Sequence, residues 1–254
     1  MFLSEPGRTE YDLNFNLLGF HVRTHPFFFL MCLFLGRGLV GAPGVNTGVG
    51  VMMGVLVFFV SILVHELGHS LAHRRYGLGS RIVLYAMGGM AIPDSAGRRV
   101  GLNHTKSIII SLAGPVAGFL LGALFIAIGT FVAGHLPQGR LMWFVPFFYV
   151  NTPEFMKYEL LMAVINGFII INIILNVLNL LPMFPLDGGR ICRSSLEIID
   201  QWDGARKSLM VSMATAVICG AVCIKYENTL MALFCFYLAY QNYQELNPGM
   251  GRRW

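Results

Sequence analysis

Six stretches of this 254-residue sequence are apolar over about the 20 residues that a bilayer-crossing helix needs: 26–42, 48–73, 105–133, 159–181, 207–224 and 228–241. Inside hydrocarbon every backbone N–H and C=O must find a partner within the protein, which leaves helices and closed barrels as spanning structures. Continuous apolar runs without period-two alternation select the helix. Only 12% of residues are charged, against about 25% in a soluble domain. The expected fold is therefore an all-α polytopic membrane protein with about six transmembrane helices. The first run is broken by Gly36-Arg37-Gly38 and the last is short, so five spans is the alternative.

Lys and Arg are unevenly shared between the connecting segments. Alternate segments hold 14 against 4, with six of them between the second and third runs (Arg74, Arg75, Arg81, Arg98, Arg99 and Lys106). The positive-inside rule then puts both termini and the 74–106 loop in the cytoplasm. The first 25 residues carry Glu5, Arg8, Glu10, Asp12 and Arg23 and lack the apolar core of a cleavable signal peptide, so the first helix is expected to direct insertion. The net charge of +5 reads as a topology signal facing the lipid bilayer. Without a basic face interleaved with aromatics, no nucleic-acid partner is expected. Four of the five cysteines fall in apolar runs and imply no disulfide framework. Residues 1–254 read as one integral membrane domain, with a cytoplasmic segment at 1–25, a core at about 50–200 and C-terminal helices at 206–245.

Between the second and third runs, the stretch Gly79–Pro93 has β-branched and aromatic residues around Gly88-Gly89. It predicts a small membrane-associated β-hairpin with a tight turn, whose free edge would accept an added strand. An irregular re-entrant loop is the alternative. The segment 135–158, with Trp143, several Phe and Tyr and three prolines, predicts an interfacial cap. Gly114, Gly118 and Gly122 recur every four residues in the third run, a smooth stripe for close helix packing.

The second run ends in VHELGHSLAH, residues 64–73. His65 and His69 are four apart, so on a helix they share a face and can converge on one cation, with Glu66 beside them. Ionisable groups inside a span are expensive to place and point to function; hydrogen bonding to neighbouring helices is the alternative. His73 lies two turns beyond His65, about 12 Å along the axis. That is too far to share an ion whose bonds to nitrogen are about 2.0–2.1 Å. With Arg74 and Arg75 next in sequence, His73 reads as an interfacial bystander or a proton-path residue.

A further ligand must come from elsewhere, and acids are scarce near the spans. Asp187 follows Pro182 and Pro185 at the end of the fourth run and precedes Gly188-Gly189. The prolines break the helix and the glycines permit a sharp turn, so the carboxylate can be turned toward the histidines. An N-capping role for Asp187 in the next helix is the alternative. Asn172, Asn176 and Asn179 occupy one face of the fourth run; they either line a cleft, with Asn179 placed to hold a substrate carbonyl, or hydrogen-bond between helices.

HELGH in the second run, SLAGP in the third and NLLPMFPLDGGR closing the fourth closely resemble the site-2 proteases, which are intramembrane zinc metalloproteases. The resemblance covers roughly residues 50–200. It implies one zinc ion per chain held by His65, His69 and Asp187, Glu66 as general base, and Asn179 as a substrate-binding amide. It also implies that Gly88 and Gly89 belong to a sheet that receives substrate as an extended strand. Many relatives have Asn where this sequence has Gly118, and the PDZ or CBS domains of some members have no counterpart here. The implied activity is hydrolysis within or near the transmembrane segment of a single-pass membrane protein, in the inner or plasma membrane of a bacterial cell. A metal transporter would spread its ligands across the membrane, and a catalytically inactive scaffold would lack a ligand or base; these are the alternatives.

Overall fold

A computed structural model of the chain describes residues 7–36, 47–85, 88–93, 103–134, 138–142, 145–149 and 159–247. The chain forms two compact units, Met1–Gly101 with Ala113–Asn176, and Leu102–Leu112 with Val177–Trp254.

The first unit opens with a β-hairpin that its charged flanks hide in the sequence. In β1 (Leu13–Leu17) Leu13, Phe15 and Leu17 alternate with Asn14 and Asn16, and β2 (Phe20–Thr24) runs back along it. Leu18 and Gly19 both take positive φ, +50° and +84°, the signature of a two-residue turn whose twist suits a hairpin. Helix α1 (Pro26–Gly36) follows, with Pro at its first position and the Phe27 N–H donating to His25 Nδ1 at 3.2 Å. Helix α2 (Thr47–Arg75) then leads into β3 (Ser80–Tyr85) and β4 (Gly88–Pro93).

The four strands form one sheet in the order β1-β2-β3-β4. Strand β2 pairs with β3 in parallel and the other pairs are antiparallel; the parallel pair needs the long helical crossover that α1 and α2 supply. One sheet face, Phe20, Val22, Ile82 and Leu84, packs on Phe28 and Cys32 of α1 and on Ile62, Leu63 and Leu67 of α2. Arg74 clips the hairpin to the end of α2. Its Nη1 donates to the Leu18 carbonyl at 2.8 Å and its guanidinium lies over the Phe20 ring. The hairpin expected at 79–93 is present, but within a larger sheet. Gly88 and Gly89 do not make its turn; they open β4 opposite Tyr85 and Leu84, and residues 86–87 lie outside the described residues.

Helices α3 (His104–Ala133) and α4 (Glu159–Asn179) pack with α2 around Val57, Leu121, Phe168 and Ile171, and the Phe125 and Phe168 rings stack at 4.0 Å. Gly68 of α2 lies so close to the Ala113 backbone of α3 that a Cβ there would overlap it. Within the segment expected as an interfacial cap, β5 (Gln138–Met142) and β6 (Val145–Tyr149) pair antiparallel; the rest of 135–158 lies outside the described residues.

The second unit holds α5 (Asp187–Ile199), α6 (Gly204–Lys225) and α7 (Thr229–Leu246). Met183, Ala216, Leu238 and Ala239 form its core. All five cysteines are free thiols.

Among the described residues, four helices are long and apolar enough to cross a membrane: Thr47–Arg75, His104–Ala133, Leu160–Asn179 and Gly204–Lys225. This is a multi-pass membrane protein with a small sheet beside its helices. Of the first expected run, the 11 residues of α1 are described.

Candidate metal centre

The HExxH segment lies in the second half of α2, an unbroken helix, so its spacing becomes geometry directly. His65, Glu66 and His69 are 4%, 5% and 6% exposed, and one ligand atom from each lies within 4.8 Å of the others. The two imidazoles meet at 79°, with Nε2 of His69 3.2 Å from Nε2 of His65. Two nitrogens bound to one tetrahedral zinc at about 2.0–2.1 Å stand about 3.3–3.4 Å apart. The pair is therefore spaced for that ion. Among the described residues, no other group of three or more His, Cys, Asp and Glu side chains is so placed. His73 stays outside it, as its position two turns along the helix requires; its carbonyl instead accepts from Leu78 N at the helix end.

Three glycines from other elements border this site. A Cβ at Gly89 of β4 would lie 2.6 Å from Oε1 of Glu66, one at Gly114 of α3 would lie 2.7 Å from Cδ2 of His69, and one at Gly118 would lie 2.6 Å from Oδ1 of Asn176. The stripe on α3, expected as packing, thus presses backbone against a metal-ligand candidate and an amide. That amide reaches the site: Asn176 Oδ1 is 2.8 Å from His65 Nδ1. One turn earlier Asn172 Nδ2 donates to Ser61 Oγ at 2.9 Å. Both pairs are 111 residues apart in sequence, so α2 and α4 run side by side in the same direction. Sequence reading placed Asn176 on a polar face without finding its partner; the equal four-residue steps Ser61/His65 and Asn172/Asn176 were the available signal.

The other sequence-selected residues belong to the second unit. Asn179 ends α4 half-buried, and the chain then turns through Leu180–Leu186 with a cis peptide bond at Phe184-Pro185. This irregular segment is pinned at one residue. The Phe184 N–H donates to Ser212 Oγ of α6 at 3.0 Å, and its carbonyl accepts from Asn242 Nδ2 of α7 at 2.8 Å. Asp187, 6% exposed, is the first residue of α5, whose N-cap is Leu186. Leu186 makes no side-chain cap hydrogen bond. Gly188 and Gly189 lie within the first turn of α5, where added Cβ atoms would overlap the backbone of Leu180–Leu181 and of Met183–Phe184. Close backbone contact, more than turn formation, calls for glycine there.

The family model for Peptidase family M50 matches residues 53–222, from within α2 to within α6. The chain belongs to Peptidase family M50. Zinc metalloprotease MJ0392 of Methanocaldococcus jannaschii is 28% identical over 183 residues, 72% of this chain and 44% of that protein. The chain spans less than half the length of the curated relatives it matches. The solved Site-2 Protease from Methanocaldococcus jannaschii shares the fold, with a TM-score of 0.56 and 24% identity over 91% of this chain and 95% of that one. The likeness to the site-2 proteases first seen in three short motifs therefore extends to family and fold, and the matched M50 segment contains every expected metal ligand.

Proposed function

We propose that this chain is an intramembrane zinc metalloprotease that hydrolyses peptide bonds within or near transmembrane segments of single-pass membrane proteins. The observation that carries the reading is the approach of β4 to Glu66. Strand β4 ends the sheet order, and its Gly89 leaves no room for a side chain above the Glu66 carboxylate. A peptide added to that edge runs beside the carboxylate in extended form. This matters because a helical transmembrane substrate keeps its carbonyls in its own hydrogen bonds and must be unwound before attack.

One zinc per chain would be held by His65 and His69, with Asp187 as the third ligand that the likeness to the site-2 proteases implies. Zinc when bound supplies a Lewis acid that polarises the scissile carbonyl and brings the pKa of water toward 7. Glu66 takes the proton from the attacking water and returns it to the leaving amine. Asn179 binds a substrate carbonyl, and Gly88, at φ +116°, lets the edge begin where a side chain would be strained. The helices form six spans, with the 26–42 run and Thr229–Leu246 completing the four above. The 14-to-4 division of Lys and Arg supports cytoplasmic termini and a cytoplasmic-side active site.

The deciding experiment uses Glu66→Gln in the detergent-solubilised full chain with a model single-pass substrate. Loss of a general base lowers turnover about 10²–10⁴-fold and leaves one zinc per chain by elemental analysis. Undiminished cleavage by this variant would overturn the proposal.

A further inference from the structure

Asn176 lies in α4 with 0% of its surface exposed, and its carboxamide links a backbone carbonyl to an imidazole. Its Nδ2 donates to the carbonyl of Asn172, and its Oδ1 faces His65 Nδ1 at 2.8 Å. The first contact dictates the second. A backbone carbonyl only accepts, so the amide nitrogen is the atom turned toward Asn172 and the amide oxygen the one turned toward His65. An oxygen at that distance requires hydrogen on Nδ1. The lone pair of His65 is then left on Nε2, the nitrogen that stands 3.2 Å from Nε2 of His69.

Two further features hold the carboxamide in that sense. Asn172, whose carbonyl sets the amide's direction, is itself tied by its Nδ2 to Ser61 Oγ of α2 and to the Phe168 carbonyl, both at 2.9 Å. Across from α4, the space that a side chain at position 118 would fill is taken by the Asn176 carboxamide, because a Cβ on Gly118 would overlap its Nδ2, Cγ and Oδ1.

Resting on the reading of His65 as a zinc ligand, we propose that Asn176 is the positioning residue of the metal centre. It fixes His65 in the Nδ1–H tautomer with Nε2 aimed at the ion, and Gly118 is glycine because any larger residue would push the carboxamide off His65. Ligating histidines are commonly oriented by an acceptor on their other ring nitrogen, and removing such an acceptor lowers metal affinity about 10–100-fold. Simple interhelical adhesion would need a hydrogen bond between α2 and α4 but would be indifferent to which imidazole nitrogen carries the proton.

The test measures zinc affinity by chelator competition on the detergent-solubilised full chain, and the His65 tautomer by two-bond 1H–15N correlation in zinc-free protein. Wild type is expected to show His65 protonated on Nδ1. Asn176→Leu, close in volume, should bind zinc about 10–100-fold more weakly with mixed His65 tautomers, whereas Asn176→Asp, which keeps an oxygen acceptor, recovers most of that loss. Gly118→Ala should weaken zinc alone, yet add little to Asn176→Ala, because the group it displaces is already gone. Wild-type affinity in Asn176→Leu, or an Nε2–H tautomer in wild type, would overturn the proposal; the wild-type spectrum decides even if a variant does not fold. Failure of wild type to bind zinc would instead defeat the metalloprotease reading, independently of the tautomer.

Discussion

The glycines around the α2 site and those at the start of α5 are equally crowded but have opposite neighbours. Gly89 and Gly114 press on the working ends of Glu66 and His69, whereas Gly188 and Gly189 press on the peptide backbone of Leu180–Phe184. A flexible side chain can swing away from an intruding methyl group, while backbone fixed at both ends cannot. Glycine in the first place therefore protects the aim of a functional group within a fold that would survive its loss. In the second it protects the fold, because residues 180–186 are irregular and depend on being seated against α5, Ser212 and Asn242.

The contrast predicts separable outcomes, and Gly188→Ala is the most severe. Its Cβ meets the Leu180 and Leu181 carbonyls, and overpacking of this kind costs about 1–3 kcal/mol or more. Thermal stability, zinc content and cleavage should fall together. Gly114→Ala comes next. Its methyl would overlap the His69 ring, whose rotation away resolves the clash, so zinc and cleavage are lost while the melting temperature stays near wild type. Equal destabilisation by the two variants, read by thermal unfolding in one detergent, would erase the distinction.

Gly89→Ala should separate the functions further. The three atoms nearest its added methyl all belong to Glu66, so zinc should be retained while turnover falls by up to the 10²–10⁴-fold that a general base contributes. Loss of zinc in this variant would mean that β4 supports the histidines as well as the carboxylate.

Much of this was legible in the sequence where local periodicity decides structure. His65, Glu66 and His69 needed only a regular helix to fall together, and the apolar runs mark each helix that is long enough to cross a membrane. The β3–β4 pair showed through its β-branched residues. The β1–β2 hairpin did not, although Leu13, Phe15 and Leu17 alternate with Asn14 and Asn16. Its charged neighbours resemble a solvated tail, and its place beside β3 rests on a parallel pairing across two intervening helices. Contacts that depend on how two helices meet were equally hidden. Nothing local says that Gly114 touches His69 or that Asn176 reaches His65, since both follow from the packing of α2, α3 and α4.

The smallest expected effect belongs to Gly122, the last member of the same α3 stripe. A Cβ there would approach Asn172 Cβ to 3.3 Å, a contact relieved by a shift of a few tenths of an ångström. The atom it meets is the root of the Asn172 side chain, while the hydrogen bonds to Ser61 and Phe168 are made by Nδ2. Alanine also favours the helix over glycine by about 1 kcal/mol, which offsets the crowding. Gly122→Ala should therefore stay within about 1 kcal/mol of wild type in stability, with zinc affinity and cleavage unchanged. If it instead lost zinc as Gly114→Ala is expected to, the stripe would act by setting the distance between α3 and α4 as a whole. The single contacts at Gly114 and Gly118 would then be consequences of that distance, and the division between glycines that aim side chains and glycines that seat backbone would have to be redrawn.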